Sequence, residues 1–396
     1  MENGGIMAEA RELLSLPLVS VVIDNYNLGR YLKDAADSVF AQTYPNIECI
    51  IVDDASTDDS TRVLDEIAAA RSSVKVIRRQ INGDQIAACL DGLAASRGDY
   101  IVFLDADDVL LKHCIATHVF VHLSLRIPVG FTCSDMLQIV SGNIVLGGNS
   151  VMSRYILGAK PPKAPARTAA NSATDGLMQY VDPSVLDRIY KVDMKCRAWP
   201  WTATSGFFFR RDALNLWANA PGLAELRRST DGFFGLAINA ITGSVLIDES
   251  LAGLRIHATN NFTRHPQLNN IRNYDIATSE REVRYRHIIL EEITRDPGRF
   301  RFHHTGLLKR SLFAADTRET SDTAPAWARK SRLSHLFVTR YASLASVVGE
   351  SKIACWMFEK GVPARVMKEA GIRYAFADRI KGTLARAWRY TRRDGN

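Results

Sequence analysis

Four strand-like runs separated by three segments of helical period occupy the chain between Leu18 and Leu104. Leu18–Ile23 is apolar and rich in β-branched residues. Arg30 to Ala41 then places Leu32, Ala35, Ala36, Val39 and Phe40 at helical spacing. Ile47–Val52 is a second apolar run, Asp58–Ala70 reads as a helix, and Val74–Ile77 is a third strand. Gln85–Ala95 is a third helix, and Tyr100–Leu104 is a fourth strand. Strands without polar alternation are buried on both faces. Helical crossovers between them predict a parallel sheet covered by helices on each side.

Open sheets of this kind bind ligands at the carboxyl ends of their strands. Three of those ends are informative. The first strand leads into Asp24-Asn25-Tyr26-Asn27, the second ends at Asp53-Asp54-Ala55-Ser56-Thr57-Asp58, and the fourth at Asp105-Ala106-Asp107-Asp108. Carboxylates gathered along one edge repel one another unless a cation neutralises them. A loop carboxylate just after a buried strand suits a hard divalent ion that also holds diphosphate oxygens. Simpler readings stand beside these. Asp105–Asp108 can be an acidic turn before a helix starting near His113. Thr57 or Asp58 can cap the helix that follows them.

The stretches VSVVIDNYN (19–27), SVFAQTYPNIECIIVDDASTDDS (38–60) and NGDQIAACLDGLAASRGDYIVFLDADD (82–108) resemble the family 2 glycosyltransferases in content, order and spacing. The resemblance runs more loosely to about residue 263, through Ser205-Gly206-Phe207, Ser229-Thr230-Asp231 and Leu254-Arg255-Ile256-His257, and covers roughly two-thirds of the chain. It implies the glycosyltransferase A-type fold, a Rossmann-like, mostly parallel α/β sheet with helices on both faces. It also implies inverting, metal-dependent transfer of a sugar from a nucleoside-diphosphate sugar, UDP-linked, to an acceptor hydroxyl. The cofactor would be Mn²⁺ or Mg²⁺. The acceptor would be a saccharide or lipid-linked saccharide in cell-envelope or exopolysaccharide synthesis.

Carried over residue by residue, the resemblance implies that Tyr26 and Asp53 line the base pocket and that Asp105 contacts the ribose or sugar side of the donor. It makes Asp107 the main metal carboxylate, His257 a further metal or diphosphate contact, and Asp231 the general base. Gly206 falls in the acceptor-side segment. Three positions depart from the family pattern: Asp24 where proline is usual, Cys89-Leu90 in place of Arg-Asn, and Thr230 in place of a glutamate. Read on its own, Ser229-Thr230-Asp231 before an apolar run is also a helix start. His257 can be an ordinary hydrogen-bonded histidine. Trp199-Pro200-Trp201 offers an acceptor platform, with Trp201 in contact, or a pair of core aromatics. His118 and His122 lack a nearby carboxylate or HExxH pattern and read as residues of an amphipathic helix.

Beyond this region the chain is strand-rich from Val129 to Leu146, with a hairpin turn expected at Gly142-Asn143. Residues 158–176 are rich in Pro, Ala and Lys and read as a mobile surface loop. The organisation expected is an extension over 1–16, a catalytic domain over 17–265 and a mainly helical region over 266–396. Of the 396 residues, 46% are hydrophobic and 23% charged, ordinary for a globular protein. Six scattered cysteines without a CxxC pair suggest a reducing compartment. No apolar run reaches the ~18 residues of a membrane span, and no signal peptide is evident. The net charge of +7 is concentrated in residues 361–396, which hold nine Lys/Arg against three Asp/Glu. The main body is therefore nearly neutral, and nucleic acid is not an expected partner. In that tail Phe376, Ile380, Leu384 and Trp388 recur every four residues, while Arg379, Arg386, Arg389 and Arg393 project elsewhere. This is the pattern of a basic helix lying on an anionic membrane, or of a helix packed on the catalytic domain. With the former, the protein would be cytoplasmic and peripheral on the inner face of the membrane. A dehydrogenase is excluded because Asn25–Arg30 lacks a GxGxxG turn. A sugar nucleotidyltransferase and a non-catalytic nucleotide-sugar-binding module are the remaining alternatives.

Overall fold

The computed structural model describes residues 15–148, 150–167, 177–260, 265–266, 278–300 and 302–372. The chain divides into two compact units, Met1–Ile276 and Ala277–Asn396. The basic stripe of residues 376–393, most of the N-terminal extension and residues 168–176 of the expected loop lie outside the described residues.

The first unit is built on one ten-stranded sheet. Its strands are β1 (Val19–Asn25), β2 (Ile47–Asp53), β3 (Val74–Arg78), β4 (Tyr100–Asp105), β5 (Val109–Leu110), β6 (Phe131–Val140), β7 (Asn143–Leu146), β8 (Ile189–Val192), β9 (Phe207–Arg210) and β10 (Ser244–Ile256). The order is β3-β2-β1-β4-β9-β6-β10-β5, with β7 beside β6 and β8 beside β10. The first four are mutually parallel, as expected. Beyond them the sheet is mixed. The short strand β9 runs antiparallel to both β4 and β6, so β6 regains the direction of β4, and β10 pairs parallel to β6.

The helices of this unit are α1 (Gly29–Phe40), α2 (Ser60–Ala70), α3 (Asp84–Ala95), α4 (Cys114–Ser124), α5 (Ser150–Ala159), α6 (Arg211–Asn215) and α7 (Thr230–Thr242). Period-two alternation sends Val19, Val21 and Ile23 of β1 to one face, where they pack with Leu32, Ala36 and Val39 of α1, Leu64 of α2 and Val119 of α4. Val22 points to the other face, where α3 comes so close that a Cβ on Gly92 would lie 2.1 Å from Val22 Cγ1. Phe103 of β4 stacks there on Phe234 of α7 at 6.3 Å. The sheet is therefore covered on both sides, the α/β architecture that the sequence predicts.

Two local features differ from expectation. The β6–β7 turn is Ser141-Gly142, one residue earlier than predicted, with Val140 opposite Asn143. Both turn residues have positive φ, 49° and 82°, as a tight two-residue hairpin turn requires. Within 158–176, residues 158–159 close α5, and the stretch after it is pinned by bridges from Lys163 to Tyr190 and Ala166 to Leu125.

The second unit contains α8 (Thr278–Arg295), α9 (Thr305–Ala315), α10 (Arg332–Thr339), α11 (Tyr341–Val348), α12 (Glu350–Glu359) and α13 (Ala364–Glu369). Its apolar interior includes Leu290, Leu312, Leu333, Phe337 and Ile353. Glu319, with no exposed side-chain surface, is met by Arg332, which supplies the positive charge its burial demands, and by His335 Nδ1 at 2.9 Å. Among the described residues no helix is long and apolar enough to cross a membrane.

Candidate active site

The parallel pairing brings the carboxyl ends of β1, β2, β4 and β10 to one edge. Register sets Asp24 opposite Asp105, and Asn25 opposite Asp53. The acidic strand ends therefore converge because the sheet aligns them.

On the β1–β2 side, two loops are laced together. Asn27, at φ 56°, accepts from the Thr57 and Asp58 backbone N–H groups at 2.7 and 3.2 Å. Its own N–H donates to Ser56 Oγ. Asp58 accepts from Gly29 N and Ser60 N, so it serves the starts of both α1 and α2. Asp53 is almost fully buried; it accepts from Asn25 Nδ2 at 2.7 Å and Ser56 N at 3.2 Å. Tyr26 stands 46% exposed at the rim, open to an incoming ring. Asp54 is structural: its carboxylate binds Arg79 and the Gly83 N–H.

In the centre, Asp105, Asp107 and Asp108 each bring an oxygen within 4.8 Å of the others. They have different surroundings. Asp108 is buried, and both its oxygens are engaged, by Ser205 Oγ at 2.7 Å and by Arg255 N at 3.0 Å. It braces the turn 204–206 and the end of β10. Asp105 accepts from Gln85 Nε2 at 2.7 Å, and its N–H donates to Ser205 Oγ. Asp107 Oδ2 faces His257 Nε2 at 2.9 Å and Asn260 Nδ2 at 3.3 Å. His257 is fixed on its other side by Thr259 Oγ1 at Nδ1, 2.8 Å away, and by stacking on Tyr31.

These charges are electrostatically expensive. Burial, reinforced by Asp107 and Asp231, pushes the Asp105 carboxyl up to about 8. Burial and the neighbouring carboxylates also raise Asp24 and Asp108 well above the usual carboxylate range. A compact group of carboxylates with one imidazole at its edge fits a hard or borderline divalent ion, and Asp105, Asp107 and His257 are the residues that could hold it.

Across from this cluster, Asp231 is the second residue of α7 and is half-buried. It is not the helix cap. Its Oδ1 accepts from the adjacent Gly232 N at 2.8 Å, while Ser229 and Thr230 N–H donate to Gln85 Oε1. The Asp231 carboxylate lies near enough to Asp105 to favour its protonated form. Gly206 is buried, and a Cβ there would lie 2.2 Å from Thr202 Oγ1 and 3.0 Å from the Ser134 carbonyl, so it lets the turn pack closely on those residues. The expectation for Trp201 needs correcting. Its ring is fully buried and its indole N–H donates to Ser244 Oγ, so it offers no face to an acceptor. Trp199, packed edge-on against it and 36% exposed, is the accessible aromatic. His118 stacks on Phe208 and His122 packs tilted against it in the core, where burial pushes both down to about 3. Gln85 and Asn260 were not legible as site residues: an isolated amide carries no motif, and only folding sets them against Asp105 and Asp107.

A family model described as Glycosyl transferase family 2 matches residues 20–122. An uncharacterized glycosyltransferase of Nostoc sp. is 32% identical over 247 residues, covering 61% of this chain and 66% of that protein. The O-antigen biosynthesis protein RfbC of Myxococcus xanthus is 37% identical over 102 residues, 25% of this chain and 8% of that protein. The chain thus spans just under two-thirds of the first relative and a small part of the second. Among solved structures, S. aureus TarS 1-349 in complex with UDP aligns with a TM-score of 0.44 and 15% identity, over 90% of this chain and 93% of that one.

Proposed function

We propose that this chain, which belongs to glycosyl transferase family 2 through residues 20–122, transfers a sugar from a nucleoside-diphosphate sugar to an acceptor hydroxyl with inversion. The observation that carries the reading is the juxtaposition of the Asp105–Asp107–Asp108 cluster with Asp231 at the carboxyl edge of a nucleotide-binding type of sheet. A binding module without chemistry has no need for a second carboxylate opposite the first group.

In this reading Tyr26 and Asp53 receive the base, the family resemblance favouring a uridine nucleotide. Asp105 receives the ribose or sugar side of the donor, and Asp107 with His257 holds Mn²⁺ or Mg²⁺. The ion supplies positive charge against the departing diphosphate. Asp231 takes the proton from the acceptor hydroxyl as that oxygen attacks the anomeric carbon, which requires approach to about 3 Å. Attack from the side opposite the leaving group inverts the configuration. The buried turn at Gly206 forms the floor, and Trp199 offers an apolar face on which a sugar can stack. The acceptor is a saccharide or lipid-linked saccharide of the cell envelope or an exopolysaccharide, a setting supported by the O-antigen relative. The basic stripe in residues 376–393 supports a cytoplasmic protein attached to the inner membrane face.

The test is release of free nucleoside diphosphate from a panel of nucleotide sugars, with saccharide and lipid-linked acceptors and with Mn²⁺ or chelator. Metal-dependent release from one donor class is the expected outcome. No release from any donor under either condition would sink the proposal.

A further inference from the structure

We propose that Gln85 is a positioning residue that holds the donor-side carboxylate Asp105 and the base-bearing start of α7 in fixed register; this rests on the roles proposed above for Asp105 and Asp231. The side chain lies at the second residue of α3, half-buried between the two halves of the site. Its amide nitrogen donates to Asp105 Oδ1 at 2.7 Å and to Thr204 Oγ1 at 3.4 Å. Its amide oxygen accepts from Ser229 N at 3.0 Å and Thr230 N at 3.3 Å. The reverse orientation would set oxygen against a carboxylate and NH₂ against two N–H groups, so the network allows one orientation only.

The surrounding backbone is held to the same purpose. Asp84 accepts from Arg227 Nε at 2.5 Å and Arg228 Nε at 3.1 Å, and Ile86 N donates to Arg227 O at 2.9 Å. Asp84, Arg227 and Ser229 all adopt positive φ, 63°, 61° and 68°, without being glycine. Such backbone is costly and persists where the surroundings over-determine it, commonly at functional sites. Here the strain sits in the segment that aims Asp231. Two chain segments 144 residues apart in sequence are thereby locked together beside the reacting atoms. Displacement of about 1 Å can cost ~10²-fold in rate, so a residue that fixes this separation acts on turnover without touching substrate.

Two variants of the full chain test the idea, with kcat, donor KM and hydrogen–deuterium exchange over residues 227–231 measured in Mn²⁺. Gln85→Met removes both ends of the bridge. It should lower kcat by ~10-fold or more and speed exchange at 229–230. Gln85→Glu still accepts from Ser229 and Thr230 but turns a carboxylate towards Asp105. It should leave exchange near that of the unmodified protein and raise donor KM by ~10-fold or more, about the worth of a hydrogen bond to a charged group. The proposal is overturned if both variants keep kcat and donor KM within twofold, or if Gln85→Met slows turnover with exchange unchanged. Should Gln85→Met fail to fold, Gln85→Glu decides alone: a donor KM within twofold overturns the bridge. Asp231→Asn in the same assay separates the two readings. Its retention of turnover removes the base assignment, whereas the exchange data still judge the bridge.

Discussion

At the residue scale, the three acidic neighbours of the DADD motif do different work although the sequence writes them alike. Asp108 is consumed by Ser205 and Arg255, Asp105 is partly consumed by Gln85, and Asp107 is left with His257 and Asn260. Asp107→Ala should therefore abolish metal-dependent binding of nucleoside diphosphate while leaving the fold intact; calorimetry with and without Mn²⁺ checks this, and unchanged metal-dependent affinity defeats it. Asp231→Asn should keep donor affinity and lower transfer by at least ~10²-fold, the lower range for a general base. Turnover within a few-fold of the unmodified protein would reduce Asp231 to a helix residue. The raised carboxyls also predict a pH effect. Asp105, ordinary in the unfolded chain and up at about 8 in the folded one, is protonated in both states below about pH 4. Between about 4 and 8 the unfolded state releases the proton and the folded state keeps it, so stability falls as pH rises through that window. In chelator, Asp105→Asn should flatten the decline of Tm with pH over this range. Parallel curves for variant and unmodified protein would show that Asp105 does not carry it.

At the element scale, α3 is both a cover for the sheet and the carrier of Gln85. Its close seat on β1 depends on Gly92, where an added methyl would overlap Val22, a fully buried residue in mid-sheet. Alanine is the better helix former by ~1 kcal/mol. Overpacking against a strand that cannot retreat costs ~1–3 kcal/mol. Gly92→Ala should thus be destabilising on balance, by about 1 kcal/mol in chemical denaturation, and should also lower kcat, because a tilted α3 moves Gln85. A neutral or stabilising effect would mean that α3 shifts freely on the sheet. The first four strands of the first unit and the helices between them were legible because strands buried on both faces leave apolar runs, whereas β5, β8, β9 and β10 carried no such signal and emerge only in the assembled sheet. The β6–β7 turn was misplaced by one residue because Ser141 tolerates a positive φ that composition alone assigns to glycine or asparagine.

At the scale of the whole molecule, charge is distributed unevenly: residues 361–396 carry most of the excess. Each basic group near an anionic surface contributes ~1 kcal/mol, weakened by salt. The full chain should sediment with anionic liposomes at low salt and stay in solution with neutral ones, and a version ending near Gly371 should lose the attachment. Full-length protein remaining in solution with anionic liposomes, or truncation without effect, removes the membrane role. The sequence by itself determined the alternation of strand and helix and the acidic strand ends, because both are local patterns of polarity. Its resemblance to the family 2 glycosyltransferases also singled out Asp53, Asp105, Asp107, Asp231 and His257 as candidates. Only the tertiary structure decided how the carboxylates divide their tasks, that Trp199 rather than Trp201 is accessible, and that Gln85 spans the site. Those outcomes depend on contacts between residues up to 153 positions apart, such as Asp107 with Asn260, and on which side of a packed aromatic pair meets solvent. Neither is written in any local run of residues.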